Sequence, residues 1–129
     1  MSLIDAIKQG DVAFTFAPMK QEDICQAEEK LNVNFSKEYS DYVAEFGVAI
    51  FDGHEFTGLC DGKRLDVVCV TQKQRQIHKH IPSDWYVIEC LDVDGIVIWQ
   101  NSEGSVYASV PNAEARKIAN SILEYLENN

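Results

Sequence analysis

Residues Asp92 to Gly104 carry the acids and the glycine of a calcium loop: Asp92, Asp94, Gly95 and, further on, Glu103. Calcium takes its oxygens from a flexible loop whose sharp turn falls on a glycine at the sixth position. Here Gly95 is the fourth residue counted from Asp92, and Ile96, Val97, Ile98 and Trp99 follow it. A run of β-branched and aromatic side chains builds a strand, not a ligand loop. Asp92–Gly95 and Asn101–Gly104 are therefore expected to be hairpin turns on either side of one strand.

Other chemistry is sparse. His78-Lys79-His80 has the spacing of a two-histidine metal arm, but no third ligand is near in sequence. The surrounding stretch, Val67 to Ser83, contains Lys73, Arg75 and Lys79 and no acid, so it reads as a solvated basic helix end. The patterns of a nucleophile elbow, a phosphate-binding loop, a dinucleotide fold and a zinc protease are missing. Cys25, Cys60, Cys69 and Cys90 are scattered without a Cys-x-x-Cys pair; they read as reduced thiols, three of them inside apolar stretches where a free cysteine packs as a small hydrophobe. No catalytic residue, metal ligand or cofactor site is assigned, and the chain is expected not to be an enzyme.

The charge pattern says more. The net charge is -10, from 21 acids and 11 bases. Glu38, Asp41, Glu45, Asp52, Glu55 and Asp61 fall in a stretch with no Lys or Arg, and Asp84 to Glu114 is a second such stretch. Surfaces of this sign repel nucleic acid and anionic lipid and attract basic partners.

These residues need elements to carry them. With 129 residues the chain is expected to form one domain, 1–129, with about 6,900 Å² of folded surface. Leu3 to Lys8 is a short amphipathic segment ending at Gly10. Val12 to Pro18 reads as an extended edge segment. Gln21 to Leu31 is a helix with Ile24, Ala27 and Leu31 on one stripe, and Asn32 ends it. Ser36 caps a second helix, Lys37 to Phe46, stopped by Gly47. Asp52-Gly53 marks a hairpin. Arg64 to Val70 reads as a buried strand, and Thr71 to His80 as a polar helix capped by Thr71. Three strands follow, over Trp85–Leu91, Ile96–Gln100 and Ser105–Val110. A last helix is expected from near Asn112 to about Glu127, with Ala115, Ile118, Ala119, Ile122 and Leu126 as its buried stripe. The predicted class is α+β: an antiparallel sheet of about five to six strands with helices packed on it. Tyr39, Val43, Phe46, Ile118 and Ile122 are expected in its core.

Asp23 to Leu59 goes further than pattern. It resembles the signature of the SUKH superfamily of Smi/Knr-type proteins: Glu28 and Leu31 in one helix, Tyr39 and Val43 in the next, Gly47 at its end, and Gly58-Leu59 beyond. Phe35-Ser36 stands where that family usually has Leu-Pro. Among members the chain looks like the YobK type. The resemblance implies an α+β binding module. Many bacterial members are immunity proteins encoded beside a polymorphic toxin, often a nuclease; fungal ones are regulatory scaffolds.

Charge and resemblance together lead to one expectation. The chain is an antitoxin that binds a cognate toxin, a nuclease domain with a basic active site, and occludes it. The alternative is a Smi/Knr-type regulatory or scaffold module without a toxin. From charge alone, the partner-binding residues are Glu38, Asp41, Glu45, Asp52, Glu55, Asp61, Asp92 and Asp94. No direct nucleic-acid or membrane partner is expected. The N-terminus lacks a basic, long apolar leader and no apolar run approaches ~20 residues, so the expected location is cytoplasmic.

Overall fold

The computed structural model describes residues 1–91 and 93–128. In chain order the elements are α1 (Leu3–Gln9), β1 (Val12–Thr15), α2 (Gln21–Leu31), α3 (Lys37–Phe46), β2 (Ala49–Phe51), β3 (His54–Glu55), α4 (Val67–Ile77), β4 (Tyr86–Cys90), β5 (Val97–Gln100), β6 (Val106–Ser109), β7 (Arg116–Ala119) and α5 (Ile122–Glu127). The fold is α+β, as expected, but its strands form two antiparallel sheets, of order β1-β2-β3 and β4-β5-β6-β7.

The first half follows its local signals closely. Ser2 caps α1 through a reciprocal pair of bonds with Asp5. Asn32 ends α2 in the left-handed conformation, φ 56°, and the Ser36 hydroxyl accepts from Tyr39 N–H to start α3. Asp52 and Gly53 turn the β2–β3 hairpin with φ of 48° and 81°, as a two-residue turn that matches strand twist must. Both turns flanking β5 take the same left-handed backbone: Asp94 and Gly95 have φ of 55° and 69°, and Gly104 has 98°.

The residues that carried the family resemblance are architectural. The Glu28 carboxylate accepts from Phe35 N–H at 2.8 Å and so closes the α2–α3 loop. Leu59 N–H donates to the Gly47 carbonyl at 3.0 Å. That close crossing needs a glycine at position 58, where a Cβ would sit 1.7 Å from the Gly47 oxygen.

Thr57 joins the two sheets. Its N–H donates to Ile88 O at 2.8 Å and its hydroxyl to Val87 O at 2.7 Å. The Thr71 hydroxyl accepts from Val87 N–H at 3.0 Å, so the outer edge of β4 is sealed by two threonines. Tyr42 bridges from above, donating to Thr57 O and accepting from Ala49 N–H, both at 2.9 Å. Burial pushes the Tyr39 and Tyr42 hydroxyls far above the usual tyrosine range.

Three expectations are corrected. Arg64 to Val70 is not a strand: a single helix, α4, begins at Val67, capped by the Asp66 carboxylate accepting from Cys69 N–H at 3.2 Å. Thr71 is buried inside that helix and does not cap it. The long C-terminal helix is replaced by β7 and the short α5. Asn112 turns the chain with φ 64°, and Arg116–Ala119 returns antiparallel to β6, with Ala108 opposite Arg116. Sheet pairing there outweighs helical periodicity. Tyr39, Val43, Phe46 and Ile122 are core residues, whereas Ile118 on β7 is only partly buried against the core.

A candidate partner-binding surface

The acids expected to face a partner divide into different kinds. Glu38 works inside the protein. Its carboxylate accepts from Ile122 N–H at 2.8 Å and Leu123 N–H at 3.1 Å, the first turn of α5, and from the Gln100 amide at 3.1 Å. Gln100 is fully buried and uses its whole amide. Its oxygen accepts from the Ser36 and Tyr86 hydroxyls, and its nitrogen donates to Glu38 and to Gly104 O. Glu38 is thus one end of a satisfied polar network joining α3, β4, β5 and α5.

Asp41 and Glu45 lie further along α3 on its outer face. Asp41 pairs with Lys37 at 2.8 Å and Glu45 with Lys8 of α1 at 3.3 Å. All four side chains are largely solvated, which makes such pairs weak and exchangeable. Asp52, at the β2–β3 tip, accepts from Asp11 N–H at 2.8 Å. The turn from α1 into β1 therefore brings Glu45, Asp11 and Asp52 to one end of the molecule. A Cβ on Gly10, in that turn, would lie 2.3 Å from the Asp52 carboxylate. Glu55, on β3, makes a two-pronged bond to the Arg64 guanidinium at 3.0 and 2.9 Å, which holds its carboxyl below the usual range. Asp61 and Asp94 are exposed. Asp92 lies outside the described residues. The base-free stretch of sequence is thus not base-free in space: Lys8, Lys37 and Arg64 come to it from neighbouring segments.

The structure also gathers groups that sequence reasoning left apart. Glu89, 2 % exposed, accepts from the Tyr125 hydroxyl and sits 3.0 and 3.2 Å from His54 Nδ1. This cluster ties β3, β4 and α5. The hydrogen bond to Glu89 raises the His54 pKa, and partial burial opposes it. A carboxylate, an imidazole and a phenol can relay protons, but here each satisfies its neighbours, a role of cohesion. Nothing in the spacing of His54, Glu89 and Tyr125 announces this; only the packing of the two sheets brings them together.

His78 is a further correction. It is buried, 4 % exposed, with Nδ1 2.9 Å from the Ser109 hydroxyl, which also accepts from the Trp99 indole at 2.7 Å. Burial lowers its pKa. The neighbouring His80 stays exposed, so the two rings do not converge. Among the described residues no group of three or more His, Cys, Asp and Glu is placed to hold a metal ion.

A cleft of about 630 Å³ opens between β3 and α4, with Lys63, Arg64 and Lys73 on its walls. Of these three bases only Lys73 belongs to the acid-free stretch from Val67 to Ser83, and Glu55 shares the same wall. Among the described residues no helix is long and apolar enough to cross a membrane. The comparison with curated proteins gives no significant match. Against protein-family models, residues 1–129 match SUKH_5, described as SMI1-KNR4 cell-wall. The whole chain is covered, and it belongs to the SUKH (Smi/Knr-type) family.

Proposed function

We propose that this protein is an immunity protein that binds a toxin encoded beside it, occludes the toxin's active site, and acts in the cytoplasm without a cofactor or catalysis of its own. The family includes immunity and Smi/Knr-type domains, which supports a binding role. The observation that carries the reading is the acidic end formed by Glu45, Asp11 and Asp52, with Asp41 one turn before Glu45 on the outer face of α3. Its ion pairs are exposed and held by lysines, so arginines and lysines of a partner can take the place of Lys8 and Lys37 at little cost. A nuclease grips phosphate with such bases, and an acidic inhibitor imitates its substrate. Opposite charge speeds encounter; a few desolvated anchors set how long the complex lasts.

Glu55, Asp61 and Asp94 extend the proposed surface, with Glu55 exchanging Arg64 for a partner base. Glu38 contributes indirectly, by holding α3 and α5 in place. The test is a binding measurement with the C-terminal domain of the toxin encoded next to this chain, at two salt concentrations. The expected result is a one-to-one complex whose association slows with salt and slows again on charge reversal at Glu45, Asp52 and Glu55. A folded, active toxin that gives no complex at micromolar protein removes the immunity reading and leaves a Smi/Knr-type regulatory module.

A further inference from the structure

The outer edge of β1 is open. The strand ends the order β1-β2-β3, and every residue from Val12 to Pro18 is exposed. Phe14 and Phe16 are 53 % and 38 % exposed, and their rings meet edge to face with centroids 5.0 Å apart. No residue from Val12 to Met19 carries a charge. Edge strands are normally blunted by a lysine, an inward charge or a covering element. On β1 the one such device is a register shift between Val12 and Phe14, which leaves Phe14 to Phe16 in regular pairing with β2 and Val48.

This edge reads Ala13-Phe14-Thr15-Phe16-Ala17, the same in both directions. A palindrome has a physical meaning only when a strand pairs antiparallel with its own copy. A two-fold axis at Thr15 sets Thr15 opposite Thr15, Phe14 opposite Phe16, and Ala13 opposite Ala17. Directly opposed residues share a face, so the Phe14 and Phe16 rings of both copies gather on one side. Aromatic cross-strand pairs are among the stabilising ones.

Backbone parity agrees with that register. Phe16 N–H donates inward, to Val48 O beyond β2, at 2.9 Å. Polar groups alternate sides along a strand, so Thr15 turns its N–H and C=O to the open edge. Two Thr15 residues can then exchange a reciprocal pair of N–H···O bonds on the axis. Beyond Phe16 the chain leaves this alternation: the Ala17 carbonyl lies against Gly47, where a Cβ would sit 2.4 Å from it, so the outward bonds on the axis are those of Thr15. This self-complementarity singles out a second copy, because a foreign strand would need no palindrome.

We propose that β1 is a homodimer edge: two copies pair antiparallel through Ala13–Ala17 about Thr15, joining their three-stranded sheets into one continuous sheet. The short interface and the charge of -10 on each copy make this a concentration-dependent dimer that salt strengthens by screening.

The experiment is sedimentation equilibrium of the full chain from micromolar to millimolar concentration, at low and high salt. A dimer is expected, favoured by salt, and weakened at least about tenfold by Phe14→Lys, which puts like charges into the paired edge. Thr15→Pro removes the outward N–H and should give a monomer; an unchanged circular dichroism spectrum in Phe14→Lys keeps the comparison valid if the proline variant does not fold. Register is read by oxidation. Thr15→Cys should cross-link to itself, since hydrogen-bonded pairs lie about 5.5 Å apart at Cα. Ala13→Cys should cross-link with Ala17→Cys but not with itself, each measured against the background of the parent's own cysteines. A monomer at every concentration overturns the proposal, as does a dimer indifferent to Phe14→Lys. So does a free protein that stays monomeric while its toxin complex is weakened by Phe14→Lys, which assigns the edge to the toxin instead.

Discussion

The two ends of α3 present the same residue types to opposite conditions. At its start, Glu38 is held by three donors from β5 and α5. Near its end, Glu45 faces solvent with one long lysine for company. Charge counting along the sequence treats them alike. What separates them is what lies opposite: α5 brings two unpaired helix N–H groups to Glu38, and such groups need an acceptor. An acid on the core-facing flank of a helix is recruited by the interior; an acid on the outer flank remains available to a partner. The difference makes the first end a matter of stability and the second a matter of recognition, and substitutions can test whether that division holds.

The largest effect belongs to the apolar packing that supports the inner end. Ile122, the first residue of α5, is fully buried beside Glu38's hydrogen bonds. Ile122→Ala should lose about 2–5 kcal/mol in denaturant unfolding, through lost burial and the cavity left behind. A loss under about 0.5 kcal/mol, the size of a surface substitution, would mean that α5 contributes no core and that the inner end is not an interior at all.

Glu38→Ala sharpens the comparison next. It strips the acceptor from Ile122 and Leu123 N–H and leaves Gln100 one bond short, at an expected cost of about 1–2 kcal/mol. Glu38→Gln should recover part of that loss, because one amide oxygen can still accept. If Glu38→Ala unfolds at the parent's denaturant midpoint, Glu38 is a surface acid after all and rejoins the proposed recognition set.

How far these roles could be read in advance depends on the range of the interactions. From Leu3 to Glu55 the elements are legible because each is announced within a few residues: Ser2 with Asp5, Ser36 with Tyr39, Asn32 and Gly47 as stops, Asp52-Gly53 as a turn. The failures are tertiary. Val67, Val68 and Val70 favour a strand on propensity, yet the segment is helical, with Val67, Val70 and Thr71 turned inward and Thr71 sealing β4. Ala115 to Leu126 has a helical stripe, but β6 offers an open edge and Arg116–Ala119 takes it. Some local signals were present and unread: Ser2 and Asp66 as helix caps, and one more near the C-terminus. Ser121 and Glu124 are spaced as a capping box, and Ser121 Oγ does accept from Glu124 N–H at 3.0 Å. Of the candidate surface, the acids were legible as acids, but not their partners, since Lys8–Glu45 and Arg64–Glu55 join segments far apart in pattern. The exposed aromatics of β1 were legible as an edge strand, but only the sheet order shows which side of it is free.

A smaller effect, with a definite sign, comes from the cluster that ties the two sheets. The Glu89 hydrogen bond raises the folded-state pKa of His54 above the unfolded value of about 6.5. A raised pKa means the folded state binds the proton more tightly, so this contribution is complete below about pH 6.5 and is lost as pH rises through the folded value. Glu89→Gln removes the charge that holds the proton. The parent's melting temperature should therefore fall relative to that of Glu89→Gln as pH climbs from about 6.5. Parallel curves for the two proteins would show that His54 and Glu89 are not coupled.

The smallest expected effect is on the outer end, and it is the one that separates recognition from stability. Asp41 and Glu45 are exposed and paired with solvated lysines, and exposed pairs of this kind contribute about 0–1 kcal/mol. Reversing either charge should change unfolding free energy by less than about 0.5 kcal/mol, within the range of surface substitutions away from packing. A new lysine at 45 and Lys8 both lie at exposed positions, so the two long side chains can swing apart into solvent and their repulsion stays small. The same Asp41→Lys and Glu45→Lys variants should slow association with a basic partner, because charges at the rim act on encounter. Unfolding curves and association rates measured on one set of variants then give two answers from one change. Stability unchanged with association slowed is the signature of an outer end used for recognition. A loss of more than 1 kcal/mol in either variant would place that acid with Glu38, as part of the interior's hydrogen bonding, and would leave the hairpin-tip acid Asp52 as the residue on which recognition has to be tested.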